Sequence, residues 1–220
     1  MPDSYDLVIV GGGVIGITLA LELKRRLPTR SIALLEKEAA VGAHASGRNS
    51  GVLHSGFYYT ADSLKARFCR DGNRELRAYI QAKGLPLRPC GKLVVAKDES
   101  ELPGLEELAR RGAANGVLVE VIDEAAAKRI EPRVKTAGRA LWSPTTASAD
   151  PGTVIAALAI DAEAAGIAVR RGVAYRSRTG STLHTSQGDI VAGYVVNCAG
   201  LYADRIARDT MGDDEDGIAM

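Results

Sequence analysis

The spacing of apolar residues changes three times before position 37. Leu7, Val8, Ile9 and Val10 form an unbroken apolar run, the pattern of a strand buried on both faces. Ile15, Leu19 and Leu23 then recur at helical spacing on one side, with Leu27 near the end and Pro28 closing the helix. Residues 31–35 return to a strand, and Glu36 ends it. Between the first strand and the helix stand Gly11, Gly13 and Gly16, spaced G-x-G-x-x-G. The pattern predicts strand, glycine turn, helix and strand, in that order.

Beyond Glu36 the periodicity lapses. Residues 37–62 are rich in Gly, Ser, His and Asn and predict a long loop. A loop of that length inside a domain is either functional or disordered, and the triplet Phe57-Tyr58-Tyr59 argues for ordered and functional. Asp62 or Ser63 caps a predicted helix reaching Lys83, with Leu64, Phe68, Leu76 and Ile80 as its apolar face and Gly84 as its stop. Residues 93–96 predict a strand, 100–115 a helix, 117–122 a strand, 124–131 a short helix capped by Asp123, and 140–142 a strand. These short elements do not repeat the first unit and read as an inserted layer. Asp150-Pro151 starts another helix, with Asp as cap and Pro in the first turn. Strands follow at 167–169 and 173–176, then a hairpin of 182–185 and 190–196 through Gln187-Gly188. The run Val195-Val196-Asn197-Cys198-Ala199-Gly200 ends the last strand, and a helix starts at Leu201. Residues 212–220 form an acidic tail with no packing pattern.

Composition narrows the class without changing the picture. The chain has 220 residues, 46% hydrophobic and 25% charged, with a net charge of +1. Nothing there points to nucleic acid. The run from Leu7 to Leu21 contains glycines and is too short to span a bilayer, and the acidic start is unlike a signal peptide. The expected location is the cytoplasm, with a peripheral place at the inner membrane as the alternative. Cys69, Cys90 and Cys198 are scattered and show no C-x-x-C, so neither a metal centre nor a disulfide framework is expected.

The glycine turn carries the first chemical inference. Gly11 allows a sharp turn, Gly13 lets a pyrophosphate approach bare main chain, and Gly16 lets the helix lie close to the sheet. The helix N-terminus favours an anion. A carboxylate at Glu36 suits a ribose diol and would repel the extra phosphate of NADP. The spacing does not separate NAD from FAD, so an NAD-linked dehydrogenase stays open on these residues alone.

Longer stretches add a resemblance. Glu36-Lys37, His44-x-Ser46-Gly47-x-Asn49-Ser50-Gly51-Val52-x-His54-Ser55-Gly56-x-Tyr58-Tyr59, Ser63-Leu64-Lys65-Ala66, Cys90-Gly91-Lys92-Leu93 and Cys198-Ala199-Gly200-Leu201-Tyr202 resemble the L-2-hydroxyglutarate oxidase/dehydrogenase family. That family belongs to the FAD-dependent oxidoreductases that include D-amino-acid oxidase, glycine/sarcosine oxidase and glycerol-3-phosphate dehydrogenase. The implied fold is α/β: a Rossmann-type FAD-binding domain of the glutathione-reductase kind with an inserted α+β segment, incomplete at its C-terminus. The implied boundaries are 1–84 and 147–211 for the FAD-binding domain and 85–146 for part of the substrate domain. Two departures stand out. Family members acting on 2-hydroxyglutarate usually carry His where this chain has Arg48, and they are about twice as long. The chain therefore resembles an N-terminal half, a truncated product or one subunit of a split enzyme.

The resemblance implies FAD, with Gly11, Gly13, Val14 and Gly16 at the pyrophosphate and Glu36 and Lys37 at the adenosine ribose. It sets Ser46, Asn49, Ser50 and Gly51 along the phosphates toward the flavin, the Val173 backbone at adenine, and Gly200 where the last strand approaches the cofactor. His54 is the implied base, because imidazole titrates near neutral pH. Arg48, Tyr59 and Lys92 are the implied substrate contacts. The implied reaction oxidises a small-molecule 2-hydroxy acid, L-2-hydroxyglutarate first, with oxygen or a quinone as acceptor. A second chain supplying the other half, an amino-acid or amine oxidase of the same kind, and an FAD-binding fragment without independent catalysis are the alternatives.

Overall fold

The computed structural model describes residues 2–211. The acidic tail expected at 212–220 lies outside the described residues. The elements run β1 (Asp3–Val10), α1 (Val14–Arg26), β2 (Ile32–Glu36), β3 (Val52–Leu53), α2 (Leu64–Ala82), β4 (Leu87–Arg88), β5 (Lys92–Val95), α3 (Leu102–Ala114), β6 (Glu120–Asp123), α4 (Glu124–Ile130), β7 (Arg139–Ser143), β8 (Ala147–Ala149), α5 (Pro151–Ala164), β9 (Ala168–Arg171), β10 (Tyr175–Thr179), β11 (Thr182–Thr185), β12 (Gly188–Asn197) and α6 (Ala203–Met211). They form two compact units. The first takes the described residues up to Asn49 and from Pro151 onward, and the second is Ser50–Asp150.

The first unit is α/β around one sheet of order β10-β11-β12-β1-β2-β9. β12, β1, β2 and β9 pair in parallel, while β10, β11 and β12 form an antiparallel meander. Alternation along β1 and β2 divides the side chains between two faces. Val8, Val10, Ala33 and Leu35 pack with Leu183, Ile190 and Ile206 on one face. On the other, α1 lies beside α5 and against β2. The buried residues of α1 are Gly16, Ile17 and Ala20, while Ile15 is 67% exposed. Of the expected face, Ile15 points outward while Leu19 and Leu23 are half-buried. The small pair Gly16 and Ala20 brings the helix nearest the sheet and so selects the buried side.

The second unit holds two small sheets, β3-β8-β4 and β5-β7-β6. Phe57, Ala96, Leu105, Val117 and Leu141 form a buried cluster, and α3 and α4 pack on β7. Ser63 caps α2, its hydroxyl accepting the Ala66 N–H at 3.1 Å, and Asp123 caps α4, accepting the Ala126 N–H at 2.6 Å. Each such cap stabilises its helix by about 1 kcal/mol. The expected apolar face of α2 holds only in part: Ile80 is buried, but Leu64 and Phe68 are each 62% exposed. The domain limits expected at 84 and 147 fall inside this unit. β3 and β4 both pair with β8, so residues on either side of Gly84 belong to one sheet.

Candidate functional site

Three glycines make the turn between β1 and α1 possible. Gly11 adopts φ +117°, and a Cβ there would stand 2.2 Å from the Cys198 carbonyl oxygen of β12's end. A Cβ at Gly16 would stand 1.9 Å from the Gly11 carbonyl oxygen. These two positions are closed by packing. Gly13 differs, because a Cβ there would meet only the Ser46 hydroxyl, at 3.1 Å. Gly200 has open space around it and needs glycine for its φ of +56°.

The amides of the turn are largely engaged within the protein. The Gly11 N–H donates to the Leu35 carbonyl at 2.8 Å, and the Gly12 N–H donates to Glu36 Oε2 at 3.0 Å. The Val14 N–H donates to Ser46 Oγ at 3.0 Å, so Ser46 caps α1 from the following loop. Glu36 is 7% exposed. Its Oε1 accepts the Glu38 N–H at 2.8 Å, and each carboxylate oxygen retains a further lone pair. The following loop is tied down by Gly42 N–H to the Gly12 carbonyl at 2.9 Å and Gly47 N–H to the Gly42 carbonyl at 2.9 Å. Asn49 braces it, donating Nδ2 to the Ser46 carbonyl at 2.9 Å.

A cavity of about 800 Å³ opens at this turn within the first unit. Gly11, Gly13, Glu36, Lys37, Ser46, Val173 and Gly200, the residues the resemblance assigns to the cofactor, line it, and so does Arg48, expected instead among the substrate contacts. Val14 and Gly16, also expected at the pyrophosphate, are not among the lining residues. The Val173 N–H is donated to the Glu36 carbonyl at 2.8 Å, so pairing with a ring there falls to its carbonyl. Tyr202, quoted above only as part of a motif, also lines the cavity, with Tyr175, Arg205 and Asp209, which were not singled out in the sequence. Lys37 Nζ lies 4.8 Å and the Arg205 guanidinium carbon 5.2 Å from the Tyr202 ring centroid. The Lys37 ammonium is also paired with Glu38. With His44 beside it at 2.9 Å, that pairing holds the Glu38 carboxyl down to about 2. Burial, then a hydrogen bond to Asp209, raises the Tyr175 phenol. Only Tyr202, within the Cys198-Ala199-Gly200-Leu201-Tyr202 motif, pointed to this wall.

The donor set fits an adenine dinucleotide. One Cβ-free position opens into the cavity at a helix N-terminus, whose dipole carries about half a positive charge. A buried carboxylate ends the second strand, and two cations stand over an aromatic ring on the wall.

The remaining sequence candidates, Ser50, Gly51, His54, Tyr59 and Lys92, belong to the second unit. His54 is exposed at the end of β3, and Asn73 Nδ2 donates to its carbonyl at 3.3 Å. Partial burial first, and the Lys92 charge second, hold the imidazole below its ordinary value, so it is neutral at physiological pH. Lys92 Nζ lies 4.7 Å from the Tyr58 ring centroid, and Tyr58 stacks on Phe57 at 4.2 Å. The Tyr59 ring lies under Lys65 at 4.6 Å, and burial and Cys69 raise its phenol. Among the described residues no helix is long and apolar enough to cross a membrane.

Comparison with known proteins covers nearly the whole chain. The family described as FAD dependent oxidoreductase matches residues 6–219. The L-2-hydroxyglutarate dehydrogenase of Escherichia coli K12 is 37% identical over 216 residues, spanning 93% of this chain and 49% of that protein. The human mitochondrial L-2-hydroxyglutarate dehydrogenase is 38% identical over 223 residues, with 94% and 48% covered. The chain thus spans about half the length of the curated relatives it matches. Among solved structures, the FAD-bound L-alpha-glycerophosphate oxidase of Mycoplasma pneumoniae superposes with a TM-score of 0.85 at 26% identity, covering 96% of this chain and 58% of that one. The glycine oxidase of Geobacillus kaustophilus gives 0.82 at 25%, covering 95% and 59%.

Proposed function

Since the chain belongs to the FAD-dependent oxidoreductase family, we propose that it is the cofactor-holding half of a flavoenzyme that oxidises a 2-hydroxy acid, L-2-hydroxyglutarate first, to the 2-oxo acid. The observation that carries this reading is the cavity at the glycine turn, open at Gly13 and closed beneath Gly11 and Gly16. The substrate comes from the names of the most similar relatives.

In this reading Gly13 and the start of α1 hold the pyrophosphate, with Ser46, Asn49, Ser50 and Gly51 along its course. Glu36 accepts from the ribose, with Lys37 beside it, and the Val173 carbonyl faces adenine. Arg48 lies on the cavity wall with Gly13 and Ser46. That place suits it to counter phosphate charge better than to bind substrate. Bound FAD supplies the acceptor for the hydride. His54 takes the proton of the substrate hydroxyl on a ring nitrogen, for which a neutral imidazole is required. Lys92 holds a substrate carboxylate and adds its charge to the burial that keeps that imidazole unprotonated.

Equilibrium dialysis with FAD, followed by dye-linked turnover of L-2-hydroxyglutarate, tests the proposal. Both are run with the chain alone and with a polypeptide equivalent to the other half of its relatives. Binding of FAD and turnover of the L but not the D enantiomer are expected. Absence of FAD uptake in either form refutes it. The likeness to glycine oxidase favours one competing reading, an amine substrate. Faster turnover of glycine than of any hydroxy acid would establish that instead.

A further inference from the structure

Three hydroxyls close a ring in the interior of the second unit. Ser55 Oγ lies 3.0 Å from Ser143 Oγ, Ser143 Oγ lies 3.0 Å from Thr146 Oγ1, and Ser55 Oγ lies 3.5 Å from Thr146 Oγ1. The three residues are 4%, 0% and 2% exposed, respectively. Each hydroxyl can donate once and accept twice, so the ring satisfies itself. Alanine and valine would fill the same space with no such requirement.

What the ring joins gives it meaning. Ser55 follows His54 directly. Ser143 is the register partner of Lys92 across β5 and β7. Thr146 accepts the Gly91 N–H on its carbonyl at 3.0 Å, one residue before Lys92. From the other side, Asn73 of α2 donates Nδ2 to the carbonyls of Leu53 at 2.9 Å, His54 at 3.3 Å and Thr145 at 3.3 Å. Arg77 adds a bond to the Thr145 carbonyl at 2.7 Å. The segments bearing His54 and Lys92 are therefore held together by side chains that need not touch a substrate.

We propose that Ser55, Ser143 and Thr146 are positioning residues, whose hydroxyl ring fixes the loop that carries His54 to the strand that carries Lys92. The catalytic part of this inference rests on the reading of His54 as proton acceptor; the mechanical part does not. Loss of the ring frees the loop, wets the imidazole and weakens its sight of the Lys92 charge. Both changes raise the pH at which His54 titrates. A misplacement of a reacting group by a fraction of an ångström lowers the rate on the order of tenfold or more.

The chain has only three histidines, His44, His54 and His184. Their ring C–H resonances can be followed by NMR against pH, with His54→Gln giving the assignment. In Thr146→Val, which keeps the side-chain shape and removes the hydroxyl, the His54 midpoint is expected to rise while His44 and His184 stay. Thr146→Ser is expected to restore it, and Ser143→Ala to behave as Thr146→Val. Flavin content stays unchanged, and kcat falls about tenfold with little change in KM. An unmoved His54 midpoint in folded Thr146→Val overturns the inference, and so does failure of Thr146→Ser to restore a moved one. A moved midpoint with undiminished turnover leaves the ring's mechanical role standing and removes His54 from the chemistry. Should Ser143→Ala not fold, the Thr146 pair decides alone.

Discussion

The Gly11–Gly16 turn and the loop through His54 are built in opposite ways. In the first unit, shape comes from missing side chains: Gly11 and Gly16 let main chain touch main chain, and amides are absorbed by carbonyls, Glu36 and Ser46. In the second, shape comes from side chains that are present: three hydroxyls, Asn73 and Arg77 hold the backbone around His54. A main-chain cradle tolerates little substitution and recognises any ligand of the right outline. A side-chain scaffold can be retuned residue by residue. The contrast suits a cofactor shared across a family on one hand and a substrate that varies within it on the other.

Four substitutions sharpen or break that contrast. The largest effect is expected for Gly16→Val, whose Cβ alone would overlap the Gly11 carbonyl. Destabilisation of about 4 kcal/mol or more should appear in thermal unfolding, with no flavin retained. Survival of a folded Gly16→Val protein would show that the turn can relax. Next comes His54→Gln, predicted to keep its flavin while turnover falls by roughly 10²–10⁴-fold; parallel loss of flavin would make His54 structural. Gly13→Val should leave the melting temperature nearly unchanged, because only Ser46 must yield, yet weaken FAD binding on the order of a hundredfold by calorimetry, about 3 kcal/mol. Unaltered affinity would mean that phosphate does not pass Gly13. The smallest effect is the shift of the pH profile in Lys92→Met, which accompanies the rise in KM expected when a substrate carboxylate loses its cation. Removing that positive charge makes protonation of His54 easier, so its pKa rises and the neutral base is lost at a higher pH. The acid limb of kcat/KM should move upward only in part toward that of an ordinary imidazole, because burial is the larger cause. A downward movement contradicts the assigned role.

Much of the first unit could be read from its residues, and much of the second could not. The turn glycines, the strand ending at Glu36 and the caps at Ser63 and Asp123 each leave a local mark, because a special φ or a cap needs a particular residue type. Strands of two or three residues leave none. Val52–Leu53, Leu87–Arg88 and Ala147–Ala149 are too short for alternation to show, so the sheet they form was missed and with it the limit of the unit. β1 begins at Asp3 rather than Leu7, because pairing of Asp3, Ser4 and Tyr5 with β12 outweighs their polar pattern. Val173 lies outside a strand, its amide turned to Glu36. The hydroxyl ring was invisible for another reason. Ser143 is 88 positions from Ser55, and only the folded chain brings them together.

Gly91 has a consequence of an optical kind. Its φ is +64°, and a Cβ there would fall 1.8 Å from the ring of Trp142, so the indole is pressed onto bare backbone beside Lys92. That indole is the chain's sole tryptophan. Its ultraviolet emission is thereby a private signal of the second unit, as the visible emission of a bound flavin would be of the first. Denaturant titrations monitored at the two colours would reveal whether the units melt in one transition or in two.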